Sequence, residues 1–216
     1  MAPAQGKTAY FTQRPLAHRF IGVPSKGFIP ASCEAPAPPL LGNAAMSDWK
    51  PNVTVAAVIE HQGRFLIIEE RTVAGVRLNQ PAGHLEAGET LARACVREAL
   101  EETAHHVEVV SGIGVYLARF VHEASATDVT YLRFAFACRL ADRPGGAFES
   151  GRVLDEGILR THWLSAAELR ARGDEHRSPL VMQVVDDHLA GQRFDLDVLH
   201  AGAGFAGLPF TPVIQR

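Results

Sequence analysis

The chain has few of the features that mark membrane, secreted and nucleic-acid-binding proteins. Its three cysteines, Cys33, Cys95 and Cys138, are widely spaced and form no Cys-x-x-Cys pair, which favours reduced thiols over a disulfide framework. The 21 Lys and Arg residues nearly balance the 24 Asp and Glu residues, so no basic surface for nucleic acid or an anionic membrane is expected. No apolar run approaches the roughly 18 residues that span a bilayer. These absences predict a soluble, cytoplasmic protein.

Residues 1–45 show no sustained helical or strand period. They hold seven of the thirteen prolines, four Lys or Arg residues and one acid. Such a segment buries too little apolar surface to offset its chain entropy, so we expect a disordered, Pro-rich extension. A translation start at Met46 is a simpler explanation, and both are favoured over a targeting role. Residues 201–216 are expected to form a flexible tail, which leaves one folded domain over residues 46–200.

Regular patterns begin at Val53. Two nearly continuous apolar runs flank His61-Gln62-Gly63, which predicts a hairpin of strands covered on both faces. Pro81 and Gly83 argue against regular helix around them, and helix is expected over about residues 89–104. Further strands are expected at 107–121 with a break at Gly112 and Gly114, at 129–140 and at 158–164.

Two more helices follow the last predicted strand. Ser165 and Glu168 have the spacing of a capping box, and a final helix is expected from Ser178, with Pro179 at its first position, to about Ala190. Strands mixed with helices on both faces predict an α/β fold, an α/β/α sandwich with a mixed β-sheet.

The helix predicted at 89–104 carries an unusual cluster of acids. At about 100° per residue, Glu98, Glu101 and Glu102 share one flank, beside a core stripe. Like charges at these spacings cost only a few tenths of a kcal/mol on an exposed helix, so an acidic solvated face explains the helix taken alone. The members of the predicted core stripe are Ala92, Cys95, Val96, Ala99 and Thr103.

The surrounding residues change that interpretation. The stretch from Gly83 to His105 resembles the Nudix box, G-x5-E-x7-R-E-U-x-E-E-x-G-U, in which U is a bulky apolar residue. Six of its seven fixed positions match at the correct spacing: Gly83, Glu89, Arg97, Glu98, Glu101 and Glu102. The resemblance implies the Nudix fold and a hydrolase of phosphoanhydrides.

The resemblance also implies a metal site. Glu98, Glu101 and Glu102, with the Gly83 carbonyl, would hold Mg2+, with Mn2+ as the alternative ion. The ion would activate a water for attack at phosphorus, and Glu98 is the favoured base. Arg97 and Glu89 would form an ion pair that orients the box. Some family members take a base or ligand from a later loop, for which Asp155 or Glu156 is the candidate here, against the alternative of an ordinary acidic turn.

Further segments between residues 51 and 199 resemble the NudJ-type phosphatase subgroup, including those at 79–91, 131–136 and 163–169. That resemblance implies release of Pi from nucleoside tri- and diphosphates and from thiamine-type pyrophosphates such as thiamine diphosphate and hydroxymethylpyrimidine diphosphate. The alternatives are a pyrophosphatase for an oxidised dNTP or ADP-ribose and, less favoured, a non-catalytic nucleotide-binding module. The expected partners are small molecules, without nucleic acid or membrane, and the chain is expected to be a monomer or homodimer. Candidate substrate contacts are Arg133 for phosphate, Tyr131 and Phe120 for stacking, and Asn79 and Gln80 for a base.

Two positions depart from the box. Ala104 replaces its glycine, so either the residue adopts a left-handed conformation at a cost on the order of 1 kcal/mol or the helix continues for one or two residues. His105 replaces an apolar residue. His105 and His106 follow the acids at the negative end of the helix, where protonated imidazoles would be favoured.

Overall fold

The computed structural model describes residues 49–122 and 127–202. The predicted N-terminal extension and all but the first two residues of the predicted tail lie outside this part of the chain. Within it, no helix combines the length and apolar character needed to cross a membrane. The elements are β1 (Asn52–His61), β2 (Arg64–Thr72), β3 (Gly75–Asn79), β4 (Ala82–His84), α1 (Leu91–Thr103), β5 (Val107–His122), β6 (Thr127–Leu140), β7 (Ile158–Leu164), α2 (Ala166–Ala171) and α3 (Leu180–Leu189), with 3-10 turns at Gly173–Glu175 and Leu196–Val198.

The seven strands form a mixed sheet. Its main path runs β3-β2-β1-β6-β5, with β4 paired to β1 and β7 paired to β2. β1 and β6 are parallel, from Asn52 opposite Tyr131 to Ile59 opposite Cys138, and the other pairings are antiparallel. The predicted mixed sheet is confirmed.

The β1–β2 hairpin turns at Gln62 and Gly63. Both residues have positive φ, 51° and 73°. Two consecutive left-handed residues make the turn whose twist matches that of the flanking strands, and glycine adopts this conformation without strain. The predicted hairpin is therefore correct.

Helices cover both faces of the sheet. Alternate β1 side chains enter opposite cores: Ala56 and Val58 pack with α2 and α3, whereas Val55, Ala57 and Ile59 pack with α1. This explains why β1 is a continuous apolar run. The α3-side core also contains Leu169, Val181, Val184 and Val185, and the α1-side core contains Ala94, Cys95, Ala99 and Phe136. The architecture is the predicted α/β/α sandwich.

Most predicted boundaries agree with the structure to within about two residues. The β5–β6 register shifts at the Gly112–Gly114 step, as the glycines indicated, and the Ser165–Glu168 capping box forms. β3 and β4 were not predicted. β3 is too polar to show an apolar run, and β4 has only three residues.

Helix α1 ends at Thr103, followed by Ala104 in the left-handed conformation with φ 57° and ψ 21°. The alternative of a longer helix is therefore wrong. The carbonyl of Ala104 accepts a 2.8 Å hydrogen bond from the Glu149 backbone N–H, which fixes the direction in which the chain leaves α1.

Candidate active site

Arg97 joins helix α1 to the loop that precedes it. Its Nε and Nη2 donate to the Glu89 carboxylate at 3.1 and 2.7 Å, and Nη2 also donates to the His84 carbonyl at 2.9 Å. The planar guanidinium offers several donors in fixed directions, so one side chain satisfies both loop groups. Burial opposes ionisation of Glu89, but hydrogen bonds from Arg97 and the Glu86 N–H outweigh it and lower the pKa of Glu89.

The other side of the Arg97 guanidinium faces two acids of α1. Nη1 donates to Glu98 at 2.7 Å and to Glu101 at 2.9 Å. Hydrogen bonds to Glu89, and then to Glu98 and Glu101, raise the pKa of Arg97 further above its already high value. One permanent cation therefore offsets the repulsion among carboxylates that share a helix flank.

Gly83 lies against Glu98. β4 pairs with β1, with Gly83 opposite Val55, and this pairing brings the loop backbone onto the α1 acids. A Cβ atom built on Gly83 would overlap the Glu98 carboxylate. The glycine is therefore required by close approach and not by an unusual backbone angle.

Glu102 and Glu98 are the two buried acids of the cluster, with 8% and 7% of their surfaces exposed. The Oε2 of Glu102 accepts a 2.7 Å hydrogen bond from the Ala82 N–H. Burial, reinforced by the charges of Glu98, Glu70 and Asp155, raises the pKa of Glu102 to about 9. Burial also raises the pKa of Glu98, in spite of Arg97.

These acids provide suitable ligand atoms for a metal ion, but the atoms are not arranged around one point. Among the described residues, no three His, Cys, Asp or Glu side chains already surround a common point at metal-binding distances. The reason is visible in the contacts, since Arg97 holds one oxygen of Glu98 and one of Glu101, and Ala82 holds one of Glu102. The donor set consists of carboxylate oxygens, which are the ligands that Mg2+ prefers, so the residues fit this ion chemically.

Of the two later-loop candidates, the structure brings Asp155 to the site. Its backbone N–H donates to the Glu101 carbonyl at 3.1 Å, and its charge raises the pKa values of Glu98 and Glu102. Glu156 is exposed and makes no side-chain hydrogen bond or ion pair to other described residues.

The candidate substrate contacts fall into two groups. Tyr131 lies beside the loop, with its ring centre 6.1 Å from that of His84 and 5.7 Å from that of Phe120. Phe120 is 47% exposed, so this pair is not part of the core. Arg133 is deeply placed, and burial lowers its pKa, as does the charge of Arg177.

Asn79 and Gln80 are both buried just before β4. Asn79 donates to Glu70 at 3.1 Å, and Gln80 donates to the Val181 carbonyl in α3 at 2.6 Å. Sequence reasoning missed Glu70, which also pairs with Arg177 at 2.7 Å and whose charge acts on Glu102. No local signal distinguishes Glu70, because it is one of several charged residues at the end of a strand.

The expectation for His105 at the end of α1 is wrong. The ring packs against Phe148 and Trp163, with centre-to-centre distances of 5.0 and 5.9 Å, and its Nδ1 lies 2.7 Å from the Thr103 carbonyl. Burial lowers the pKa of His105, so the neutral ring is favoured and the helix dipole does not hold it protonated. His106 instead lies 3.1 Å from Glu149.

Comparison with known proteins agrees with this geometry. A NUDIX domain model matches residues 48–184. Phosphatase NudJ of Escherichia coli (strain K12) is 39% identical over 167 residues, covering 76% of this chain and 97% of the relative, and the Shigella sonnei (strain Ss046) protein of the same name gives the same values.

Solved structures extend the comparison. A NUDIX hydrolase from Nitrosomonas europaea is 45% identical with a TM-score of 0.63, over 71% of this chain and 98% of that one. A MutT NUDIX hydrolase from Burkholderia pseudomallei, at 18% identity and a TM-score of 0.50 over 64% and 98% of the two chains, shares the fold alone. With the domain match spanning α1 and its loop, the chain belongs to the Nudix hydrolases, enzymes that act on phosphoanhydrides.

Proposed function

We propose that this protein is a Mg2+-dependent phosphohydrolase that releases Pi from nucleoside tri- and diphosphates and from thiamine-type pyrophosphates, including thiamine diphosphate and hydroxymethylpyrimidine diphosphate. The observation that carries the proposal is that Glu98, Glu101 and Glu102 lie on one flank of α1. Gly83 packs against the Glu98 carboxylate, and Arg97 donates hydrogen bonds to Glu98 and Glu101. The 39% identity to Phosphatase NudJ supports the substrate class. A cytoplasmic location and a monomeric or dimeric state stay predictions.

The acids of α1 would hold the ion, with the Gly83 carbonyl as a further donor and Mn2+ as the alternative ion. When bound, the ion supplies positive charge against the substrate phosphates and lowers the pKa of water. Arg97 and Glu89 are positioning residues, because their contacts fix the loop on the helix. Arg133 supplies a second positive charge, suited to a substrate phosphate.

Glu98 is the proposed base, since it lies closest to the loop glycine and one of its carboxylate oxygens is already oriented by Arg97. It would accept the proton of the attacking water while the phosphoanhydride bond breaks. Asp155 is the alternative base from the later loop, and its proximity to Glu98 makes it a second position to test.

The test is a substrate panel with Mg2+ in which Pi and pyrophosphate are measured separately. The panel contains thiamine diphosphate, hydroxymethylpyrimidine diphosphate, common nucleotides, an oxidised dNTP and ADP-ribose. Release of Pi from the first three classes is expected. Cleavage of ADP-ribose or the oxidised dNTP with the others untouched would overturn the substrate assignment, and tight binding without turnover of any compound would indicate a non-catalytic module.

Substitution of Glu98 by Gln tests the base. Loss of a general base lowers kcat by about 100-fold or more, whereas Asp155→Asn is expected to have a smaller effect. Glu108→Gln is the matched control, because Glu108 pairs with Arg139 at the far end of the β5–β6 ladder. If the Asp155 variant loses more activity than the Glu98 variant, the two roles are reversed.

A further inference from the structure

The guanidinium of Arg133 lies beside the loop that carries Gly83, and one of its nitrogens is unpaired. Arg133 on β6 is opposite Thr54 on β1, and Thr54 is opposite His84 on β4. Residues that lie opposite one another share a face of the sheet, so Arg133 is on the same face as the His84 side chain. Among the described residues, its Nη1 is one of the buried side-chain atoms that have no hydrogen-bond partner. A buried donor without an acceptor destabilises the fold, so this nitrogen requires an explanation.

A second arginine, Arg177, lies in the segment before α3. Its backbone N–H donates to the Leu78 carbonyl in β3 at 2.8 Å, which holds this segment against the sheet. Its Nη1 donates to Glu70 at 2.7 Å, and 46% of its side chain is exposed. Within residues 49–122 and 127–202, its Nε and Nη2 make no hydrogen bond to another residue. Arg177 is therefore held at one nitrogen, and its other donors are available to a ligand.

Glu70 fixes the direction of the Arg177 side chain. One of its carboxylate oxygens accepts from Asn79 Nδ2 at 3.1 Å, and the other accepts from Arg177 Nη1. Asn79 is on β3, which pairs with the strand β2 that carries Glu70. Only 15% of the Glu70 side chain is exposed. Because both oxygens are engaged and the group is nearly buried, the carboxylate gives Arg177 a fixed partner.

The charges of these side chains act on one another. Burial and the charge of Arg177 lower the pKa of Arg133, whereas the charge of Glu70 raises it. The charge of Glu70 also acts on Glu102 in α1. In the described part of the chain, Glu70 hydrogen-bonds to Arg177 and not to Arg133. Two guanidinium groups thus share one carboxylate beside the α1 acids, and their mutual repulsion is only partly offset.

A phosphate group has the charge and the acceptor atoms that this arrangement lacks. Its oxygens accept several hydrogen bonds at once, and the planar guanidinium matches them with parallel N–H donors. An anion that contacts both Arg133 and Arg177 replaces their repulsion by two attractions. It also supplies an acceptor for the unpaired Nη1 of Arg133.

We infer that Arg133 and Arg177 together bind one phosphate group of the substrate, and that Glu70 positions Arg177 for this contact. Glu70 does not touch the phosphate, which its own charge would repel, and acts through Arg177. The competing explanation is that Glu70 and Arg177 only tie the segment before α3 to the sheet. This inference rests on the proposed function for the substrate and adds Arg177 and Glu70 to the site.

Arg177→Gln tests the contact, with inorganic phosphate as the probe. Binding to the full-length protein is measured by calorimetry with Mg2+ and with EDTA, and the Kd is expected to rise at least about tenfold in the variant. With the best substrate of the panel, KM is expected to rise by a similar factor while kcat falls less. Arg160→Gln is the matched control, because Arg160 pairs at 2.8 Å with Glu69, the residue next to Glu70 on β2.

Equal phosphate affinity in wild type and the Arg177 variant would overturn the inference, and so would a wild type that binds no phosphate in either condition. A lower midpoint of thermal unfolding with an unchanged phosphate Kd would show that the Glu70–Arg177 pair is structural only.

Glu70→Gln tests the positioning role, because glutamine keeps the size of the side chain and removes its charge. In the wild-type background, the phosphate Kd is expected to rise several-fold, since Arg177 loses its ionic partner. In the Arg177→Gln background, the same change is expected to cause no further rise, because Glu70 acts through Arg177. A rise of equal size in both backgrounds would contradict this role.

The two proposals fail separately. Phosphate binding that depends on Arg177, without hydrolysis of any compound in the panel, contradicts the proposed function and leaves this inference intact. Hydrolysis with unchanged KM and unchanged phosphate Kd in the Arg177 variant contradicts this inference and leaves the hydrolase intact.

Discussion

At the scale of single residues, the absent side chain of Gly83 decides how closely the loop approaches α1. Gly83→Ala places a methyl group where the Glu98 carboxylate lies, so the acid or the loop must move. Displacement of a reacting group by about 1 Å costs roughly 100-fold, and we expect a fall in kcat of that order with the fold retained. Phosphate release and circular dichroism check the two parts.

Gly173→Ala is the matched control for this substitution, because a Cβ at Gly173 meets no atom within 4 Å. Equal activity of the Gly83 and Gly173 variants would show that the close approach at Gly83 has no catalytic consequence.

His105 makes stability depend on pH. Burial places its folded-state pKa below the unfolded value, so its contribution is present above the unfolded pKa and is lost as pH falls through the folded pKa. His105→Phe keeps an aromatic ring against Trp163 but cannot titrate.

We therefore expect wild type to lose stability relative to His105→Phe between about pH 7 and pH 5. Denaturant unfolding at several pH values measures the difference, and His61→Gln on the exposed end of β1 serves as a histidine control. A constant difference across this range would contradict the assignment.

The candidate site residues that belong to the motif could be predicted from the sequence, because they lie close together along one loop and one helix. Glu70 and Arg177 could not, since they are brought to the site by strand pairing and by the segment before α3. The neutral state of His105 was also missed, because it depends on packing against Phe148 and Trp163, which are distant in sequence.

At the scale of elements, the β1–β2 turn has one residue that is poorly suited to its conformation. Gln62 has φ 51°, a value that non-glycine residues rarely adopt and asparagine adopts more readily. Gln62→Asn is expected to raise the free energy of unfolding by about 0.5–1 kcal/mol, without changing activity, since the turn is remote from the acids. A denaturation midpoint that stays the same or falls would contradict this expectation.

Helix α1 and its loop form a second unit, joined by Arg97. Glu89→Gln and Arg97→Lys each break the bidentate contact, and both are expected to lower stability and activity. Because the two residues share contacts, the double variant should lose less than the sum of the single losses, with a coupling of about 1 kcal/mol or more. Strict additivity in unfolding experiments would show that the loop does not depend on this pair.

Elements with both faces buried were predictable because their sequence is apolar throughout, as in β1. β3 and β4 were not predictable. β4 depends on its neighbours, because Pro81 and Leu85 on either side of it hydrogen-bond to β1. A three-residue strand has no periodicity of its own to detect.

At the scale of the whole molecule, the buried acid Glu102 lowers stability when no cation is bound. Burial and the charges of Glu98, Glu70 and Asp155 raise its pKa to about 9, so at neutral pH it takes up a proton on folding, a cost that glutamine does not carry. In EDTA, Glu102→Gln is expected to be more stable than wild type by about 1–3 kcal/mol. With Mg2+ in excess, wild type is expected to gain stability and the variant much less, because ligand binding stabilises only the state that binds.

Thermal unfolding of both proteins with EDTA and with Mg2+ checks this prediction. The Glu108→Gln control should shift with Mg2+ as wild type does. An equal Mg2+ effect in wild type and the Glu102 variant would show that Glu102 takes no part in holding the ion.

The division of β1 side chains between two cores has a consequence for how substitutions combine. Val55, Ala57 and Ile59 pack with α1, whereas Ala56 and Val58 pack with α3, so the two sets have different packing partners. Substitutions within one core can therefore compensate one another without a matching change in the other core.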